Sequence, residues 1–502
     1  MTLSIHTRAD HYGSRLAVVD RDGDERRRYD YDDLAAMADD YALRFADRGV
    51  GPGDPVCVLS RNRTELLGLF FAAVETGAIL APISHRLPPE TVGTLHERID
   101  PALALFEERF DDLLPNGAAG TTLESFVAGE PDAGIDEVDR DPPGRDSERP
   151  LLYLHTGGTT GVPKVVVLPA RQLEWNCITE VAAWGLGKDD VSPALLPLFH
   201  TGGWNLLTLP TLYVGGRVAL LREFEPTVAL ETIEEQGATH VFGVAAIFQA
   251  MADADAFAET EFSAVDWFMS GGGPTPAAVM EAYRERGLRF TQGYGLTEGG
   301  PNNLYVDPDR PDATDKATES VGRPFPDCGA RVVDGDGRPL DDGEVGELEL
   351  SGPVTAAGYL ETEDGTFEGE WVSTGDLARR DADGDYYVTG RTDNMFVSGG
   401  ENVYPEEIEA VLERHPDVDA AGVVGVPHER WGTVPKAVVS GSEDLDADRL
   451  EDYCRDNLAD FEVPETVAFV DELPRSGPGK IDREALDAEF GASGDTDRGG
   501  DR

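Results

Sequence analysis

A chain of 502 residues with 40% hydrophobic content can bury a large core in two or more domains. Its formal net charge of -55, about one excess negative charge per nine residues, excludes nucleic acid as a natural partner, because the phosphates would be repelled. No apolar run reaches the roughly 18–20 residues needed to span a membrane, and the opening M-T-L-S-I-H-T-R-A-D carries no signal-peptide core.

The acidic residues are spread over the whole chain, and of the 42 basic residues only positions 164, 188, 316, 436 and 480 are lysines. Such a surface suits molar salt, where the Debye length falls to about 3 Å and self-repulsion is screened. Cys57, Cys177, Cys328 and Cys454 lie far apart with no C-x-x-C pair. They read as buried free thiols in a reducing compartment. The expectation is a halophilic, cytoplasmic protein.

Helical periodicity covers Tyr31 to Arg48 and stops at Gly49; Pro55 to Ser60 reads as a strand, Leu66 to Gly77 as a helix and Ile79 to Ile83 as a strand. This alternation predicts an α/β fold with layered, largely parallel sheets. Residues 128–150, rich in Gly, Pro and Asp, read as a surface loop. Leu151 to Leu154 is an apolar strand, and Thr156, Gly157, Gly158, Thr159, Thr160 and Gly161 follow it, ending on Pro163 and Lys164. Glycines let backbone N–H groups converge on an anion, and the threonine hydroxyls and one ammonium add donors, so this stretch is built to hold phosphate. The spacing is not that of a Walker A loop.

Further on, His200 ends an apolar run and precedes Thr201, Gly202, Gly203 and Trp204. By position alone it reads first as a loop histidine tied to a backbone carbonyl. Tyr213 to Leu221 and Ala238 to Val244 read as strands. Trp267 to Ser270 is a short strand leading into Gly271, Gly272 and Gly273, with a helix from Pro276 to Arg286. In T-Q-G-Y-G-L-T-E, Tyr294 sits between Gly293 and Gly295 with an accessible ring face, and Thr297 and Glu298 add a hydroxyl and a carboxylate suited to magnesium. Residues 330–388 hold D-G turns between short alternating runs, suggesting a small barrel-like sheet. From about residue 394 the chain reads as a compact α+β unit, with helices at 405–414 and 446–459, strands at 421–426 and 437–440, and a disordered tail after Phe490.

Five segments in order, T-G-G-T-T-G-x-P-K, Q-G-Y-G-L-T-E, W-x-x-T-G-D, G-R-x-D-N-M-x-x-S-G-G-E-N-V-Y-P and P-R-x-x-x-G-K, resemble the adenylate-forming superfamily of acyl-CoA synthetases, peptide-synthetase adenylation domains and beetle luciferases. The resemblance runs from about Tyr31 to Arg483. It implies a large N-terminal domain (1–392), a small mobile C-terminal domain (393–490) and a tail (491–502). It also implies two half-reactions: a carboxylate and ATP give acyl-AMP and pyrophosphate, and a thiol then takes the acyl group.

By the same resemblance, Thr156 to Gly161 and Lys164 hold the β- and γ-phosphates. Gly271 to Gly273, Tyr294 and Gly295 flank adenine, Thr297 touches phosphate and Glu298 binds Mg2+. Asp376 accepts from the ribose hydroxyls beside Arg391, and Lys480 bridges the carboxylate and the α-phosphate. Asp393 is the hinge. Ser398, Gly399, Gly400, Glu401 and Trp431 serve CoA. His200, Thr201, Gly203, Trp204, Phe248 and Pro301 line the acid pocket.

The sequence departs from the family pattern at Asn394, where Asp is commoner, at Val244-Ala245-Ala246, at Ser84, and at F-E-V-P-E (461–465), where basic residues often meet the CoA nucleotide. The expected partners are ATP, Mg2+, CoA and a small carboxylic acid, with room for a homodimer. The segments L-F-H-T-G-G-W-N and Y-G-L-T-E-G-G-P-N-N look most like the medium- and long-chain fatty acyl group; an aryl acid of the o-succinylbenzoate type is the alternative.

Overall fold

The Tyr31–Asp47 helix shows how local sequence starts an element. Asp30 accepts from the Asp33 N–H at 2.8 Å, and Asp33 accepts from the Asp30 N–H at 3.0 Å, a reciprocal capping box. Leu34, Ala38, Tyr41, Ala42 and Phe45 share one buried face. The next helix, Thr64–Thr76, is buried along its whole length and ends at Gly77 in the left-handed conformation, φ 77°. The structure, a computed structural model, describes residues 3–114, 120–129, 146–156, 163–361, 365–398, 401–428, 430–442, 445–459, 461–476 and 480–491. Most of the 128–150 loop and the tail beyond residue 491 lie outside these residues.

Three mixed sheets carry the first unit, which comprises residues 1–330 and 349–374. The largest has seven strands in the order Gly358–Tyr359, Lys164–Pro169, Pro150–Thr156, Ile79–Ile83, Pro55–Leu59, Leu103–Phe106 and Gly120–Thr122. Its pairings are parallel from Pro150–Thr156 to Gly120–Thr122 and antiparallel at the other edge. A second sheet orders His240–Gly243, Trp267–Ser270, Phe290–Leu296, Gly300–Tyr305 and Arg323–Pro324, its first three strands parallel. The third joins Glu25–Asp30, Leu16–Asp22, Arg217–Leu221 and Val191–Ala194. The α/β expectation is met.

One expectation is corrected. Tyr213 to Leu221 is not one strand: Thr208–Tyr213 is helical and only Arg217–Leu221 is extended, because Gly215 adopts φ 85° between them. Tyr294 lies within strand Phe290–Leu296, opposite Leu304, and the turn falls at Thr297–Gly299. Gly295 is required there, because a Cβ at that position would come within 1.9 Å of the Pro301 carbonyl oxygen. Among the cysteines, Cys57, Cys177 and Cys454 are buried, whereas Cys328 is only partly so.

The second unit comprises residues 331–348 and 375–502. Its main sheet joins Glu401–Val403, Phe396–Ser398, Gly432–Gly441 and Val418–His428, with Thr466–Phe469 parallel to Gly432–Gly441. Helices Pro405–Leu412 and Ala447–Asn457 accompany this sheet, as expected for an α+β unit, and the strands run longer than their apolar centres. The D-G-rich stretch orders Gly329–Val333, Gly346–Ser351, Trp371–Arg380 and Phe367–Glu368, with Tyr386–Arg391 antiparallel to Trp371–Arg380.

Self-repulsion at a net charge of -55 gives a direct prediction. The melting temperature is expected to rise by about 10 °C or more between 0.1 and 3 M KCl, as screening removes that repulsion. A thermal melt that stays flat across the series would refute the halophilic reading.

Candidate active site

The glycine loop leaves one strand and returns on its antiparallel neighbour, so Thr156 and Lys164 stand opposite each other at its base. Gly157, Gly158, Thr159, Thr160 and Gly161 lie outside the described residues. The Lys164 ammonium sits 4.7 Å from the centre of the Tyr359 ring. Tyr359 reaches it because Gly358–Tyr359 pairs with the strand that carries Lys164, with Tyr359 opposite Val166. The Tyr359 hydroxyl donates to Glu298 Oε1 at 2.9 Å, and the Ala356 N–H donates to the Glu298 carbonyl at 2.9 Å. Glu298 is buried. Thus the loop lysine, a tyrosine and the proposed magnesium carboxylate form one line. Tyr359 escaped the sequence reading, since no local spacing connects it to either partner.

Glu298 offers a carboxylate here, and no group of three or more His, Cys, Asp or Glu side chains suited to a metal occurs among the described residues. One carboxylate oxygen tied to a hydroxyl, with the other carboxylate oxygen to spare, fits an ion that takes most of its oxygens from phosphate and water.

His200 caps the short helix Thr201–Asn205 and is exposed. Its ring centre lies 4.6 Å from that of Phe199 and 6.2 Å from that of His155. His155 precedes Thr156 in the strand entering the glycine loop, and its Nε2 accepts from the Ser84 N–H at 3.0 Å. Burial, with the neighbouring His200, holds the His155 pKa down to about 4. A neutral histidine in the folded state and an ordinary one in the unfolded state mean that the unfolded state binds the extra proton. Stability attributable to His155 is therefore intact above about pH 6.5 and lost as pH falls toward 4, by about 1.4 kcal/mol per unit. Urea denaturation of His155→Gln at pH 7 and 5 should show a shallower acid-side loss than the parent chain; equal slopes would contradict this.

Of the other pocket residues, Thr201 is half-buried and Gly203 buried on the same helix. Trp204 and Phe248 are side chains of the core. Trp204 has no exposed surface, donates its indole N–H to the Leu198 carbonyl and lies 5.2 Å from Phe70. Phe248 is likewise enclosed, with ring centres of Phe290, Tyr283 and Phe268 at 4.9, 5.6 and 6.1 Å. Gly271 is buried, while Gly272 and Gly273 are exposed beyond the end of Trp267–Ser270. Tyr294, Gly295 and Thr297 are half-buried along and just after their strand, and Pro301 is buried on the strand opposite.

In the second unit, Asp376 and Arg391 are register partners, joined by an Arg391 Nη1 donation to Asp376 Oδ1 at 2.8 Å. Gly375, φ 70°, makes room: a Cβ there would stand 2.9 Å from Arg391 Nη2. Arg391 also faces Asp393 at 3.8 Å. Asn394 donates to Glu406, so the uncommon amide has a carboxylate partner. Ser398 is buried and pairs in register with Glu401 and with Gly432. That pairing sets Ser398 opposite the residue after Trp431, which is 45% exposed and covered by the Arg430 guanidinium at 4.5 Å. Gly399 and Gly400 lie outside the described residues, and Glu401 and Lys480 are described as backbone only. Lys480 opens the strand Lys480–Ile481, opposite Ser476.

Comparison with known proteins agrees with this arrangement. Residues 5–360 match the AMP-binding enzyme family, and residues 407–480 match the AMP-binding enzyme C-terminal domain. A feruloyl-CoA synthase from Amycolatopsis sp. is 37% identical over 88% of this chain and 90% of its own length. An indoleacetate–CoA ligase from Aromatoleum aromaticum is 34% identical over 90% and 91%. A 2-succinylbenzoate–CoA ligase from Geobacillus kaustophilus is 33% identical over 94% of each. Among solved structures, the o-succinylbenzoate CoA synthetase of Bacillus subtilis with its acyl-adenylate intermediate superposes with a TM-score of 0.87 at 26% identity, covering 97% and 98% of the two chains. The same enzyme is known in complex with ATP and magnesium, TM-score 0.85 at 25% identity over 97% and 99%. The chain belongs to the AMP-binding enzyme family of the adenylate-forming superfamily and is an AMP-forming acid–thiol ligase.

Proposed function

We propose that this ligase activates an aromatic carboxylic acid with ATP and transfers it to CoA. The observation that carries the chemistry is the line Lys164–Tyr359–Glu298 at the base of the glycine loop, a cation and a carboxylate joined by one phenol. In the first half-reaction, an acid oxygen forms a bond to the α-phosphorus, the Pα–O–Pβ bond breaks, and pyrophosphate leaves with the electron pair. Thr156 and Lys164 are the loop-base groups toward the outer phosphates. Tyr294 and Gly271 to Gly273 serve the adenine, and Asp376, held by Arg391, the ribose. Glu298 would hold magnesium, which neutralises phosphate charge. Lys480 stabilises the charge that builds between carboxylate and α-phosphate.

In the second half-reaction, the CoA sulfur forms a bond to the acyl carbon and AMP leaves. The turn at Ser398–Glu401 and the Arg430–Trp431 pair serve the CoA. Arg430, over the Trp431 ring, is a cation of the same unit in which Glu462 and Glu465 stand in place of basic residues. Asp393 is the hinge between the two steps.

The aromatic reading is supported by relatives named for ferulate, indoleacetate and succinylbenzoate. A medium- or long-chain fatty acid, expected from the L-F-H-T-G-G-W-N segment, is the competing substrate. Pyrophosphate release in molar KCl decides between them, using cinnamate, 4-hydroxycinnamate, indoleacetate, o-succinylbenzoate, octanoate and palmitate with and without CoA. CoA-stimulated turnover of the aromatic acids supports the proposal; turnover confined to octanoate or palmitate replaces it.

A further inference from the structure

Three parallel strands start at one cavity. Leu16, Arg217 and Val191 open the strands Leu16–Asp22, Arg217–Leu221 and Val191–Ala194, which pair in that order. At these amino ends the polar residues Arg15, Lys188, Asp189, Asp190 and Arg217 line a cavity of about 280 Å³. The far end of Val191–Ala194 runs on into residues 195–200, which end at His200, so the cavity and that acid-pocket segment lie at opposite ends of the sheet.

The cations of this cavity are unevenly matched. Asp189 accepts from Arg15 Nη2 at 2.7 Å and from Lys188 Nζ at 2.8 Å, and Arg15 Nε donates to the Gly215 carbonyl at 3.0 Å. Asp190 accepts from the Gly187 N–H at 2.7 Å and lies 3.6 Å from His240 Nδ1. Arg217 forms no ion pair among the described residues. Its Nη2 donates to the neutral Gln236 carbonyl at 2.6 Å, and its Nε is buried without an acceptor. Elsewhere, half-buried guanidiniums meet carboxylates, as Arg61 does with Glu107 and Arg483 with Glu409.

A neighbouring strand adds to the imbalance. Arg28 stands opposite Val19, Val19 stands opposite Ala219, and Arg217 lies two residues before Ala219. Side chains alternate along a strand, so Arg28 and Arg217 share one face of the sheet. Arg28 is exposed and forms no ion pair among the described residues. Burial, with Arg28 and Arg15 close by, pulls the Arg217 guanidinium below its usual value, and no acidic neighbour offsets that pull. Three cations and two carboxylates give the lining a formal charge of +1, in a chain whose overall charge is -55.

We propose that this cavity binds one monovalent anion, a halide or a small carboxylate, as the counter-ion that the fold does not supply to Arg217. Charge and size decide the class. One negative charge neutralises the lining, and the cavity has room for an ion with several waters. A phosphate would overshoot that charge beside Asp189 and Asp190, which repel it. A guanidinium is weakly hydrated and presents several N–H donors in one plane, so it accepts an anion more readily than an ammonium does. The acidic remainder of the chain repels anions, so binding elsewhere is weak and a bound anion reports this site.

The test is the chloride NMR line width of a KCl solution containing the whole chain. The parent chain is expected to broaden the line, and added bromide to reverse the broadening by competing for the site. Arg217→Gln should weaken chloride binding by at least about tenfold, the loss of a charge-assisted bond. Lys188→Glu changes an exposed side chain and turns the lining negative; it should weaken binding by at least about fivefold, and it decides alone should Arg217→Gln fail to fold. Acetate that competes as bromide does extends the site to small carboxylates, and acetate without effect restricts it to halides; either supports the proposal. Phosphate that competes at about a tenth of the bromide concentration overturns the monovalent assignment. A line that bromide does not narrow, or equal broadening by the parent and both variants, overturns the site.

Discussion

Lys480→Met is expected to slow acyl-adenylate formation by about 10²–10³-fold while changing KM for ATP by less than about threefold, because the lost charge acts on the transition state and not on the bound nucleotide. The chain invests heavily in fixing the end of this segment. Lys480–Ile481 is a two-residue strand paired with Arg475–Ser476, too short to be rigid by itself. Directly after it, Asp482 caps helix Arg483–Phe490 by accepting from the Ala485 N–H at 3.0 Å. Arg483 then donates to both oxygens of Glu409 at 2.6 Å, to Glu406 at 3.2 Å and to the Val423 carbonyl at 3.1 Å. A forked guanidinium on a bidentate carboxylate is a directional anchor. The measurement is a pair of single-turnover assays, adenylation from ATP and thiolysis of preformed acyl-AMP. Loss confined to the first supports the assignment; equal loss in both would show that Lys480 is structural.

Glu298→Gln is expected to lower adenylation by about 10²-fold at saturating ATP, the order of effect of removing a group that organises transition-state charge, and to move the magnesium optimum upward. Tyr359→Phe should act in the same direction but by only about fivefold, the worth of one hydrogen bond of roughly 1 kcal/mol. The two variants distinguish binding from positioning. Glu298 offers the carboxylate, whereas Tyr359 holds one of its oxygens at 2.9 Å and lays its ring beside Lys164. A magnesium titration of Glu298→Gln that matches the parent enzyme would remove Glu298 from the metal role. A Tyr359→Phe variant as slow as Glu298→Gln would mean that the phenol itself reaches the reacting groups.

Many of the candidate site residues could be named before any fold was known, and for one reason: the motifs that hold them are short and local. A strand, a run of small residues and a lysine define a phosphate loop by themselves, and Thr156 and Lys164 do stand paired at its base. Asp376 and Arg391 could be named from two separate motifs, and the antiparallel register that joins them follows from D-G turn chemistry. Trp204 and Phe248 show the limit of motif reading. Each sits in a segment assigned to the acid pocket, yet both side chains pack into cores, because a one-dimensional motif does not say which way a side chain points. Tyr213 to Leu221 failed as a strand for a similar reason: continuous apolar residues suit a buried helical turn and a strand equally, and the Gly215 backbone chose between them.

By itself, the sequence determined the α/β class, the excess of acidic residues and the order of the five motifs, and it named the groups proposed to touch ATP, since all of these follow from composition or from neighbours within about twenty residues. Only the tertiary structure decided that Tyr359 joins Lys164 to Glu298, which takes the pairing of an edge strand with the strand leaving the glycine loop. Only it decided that Glu180, Asn176, Asn205 and Asn302 form one buried polar cluster. Those contacts join residues distant along the chain, and no periodicity records them; they exist because sheet register and helix packing bring distant side chains to one place, where burial favours pairing among their polar atoms.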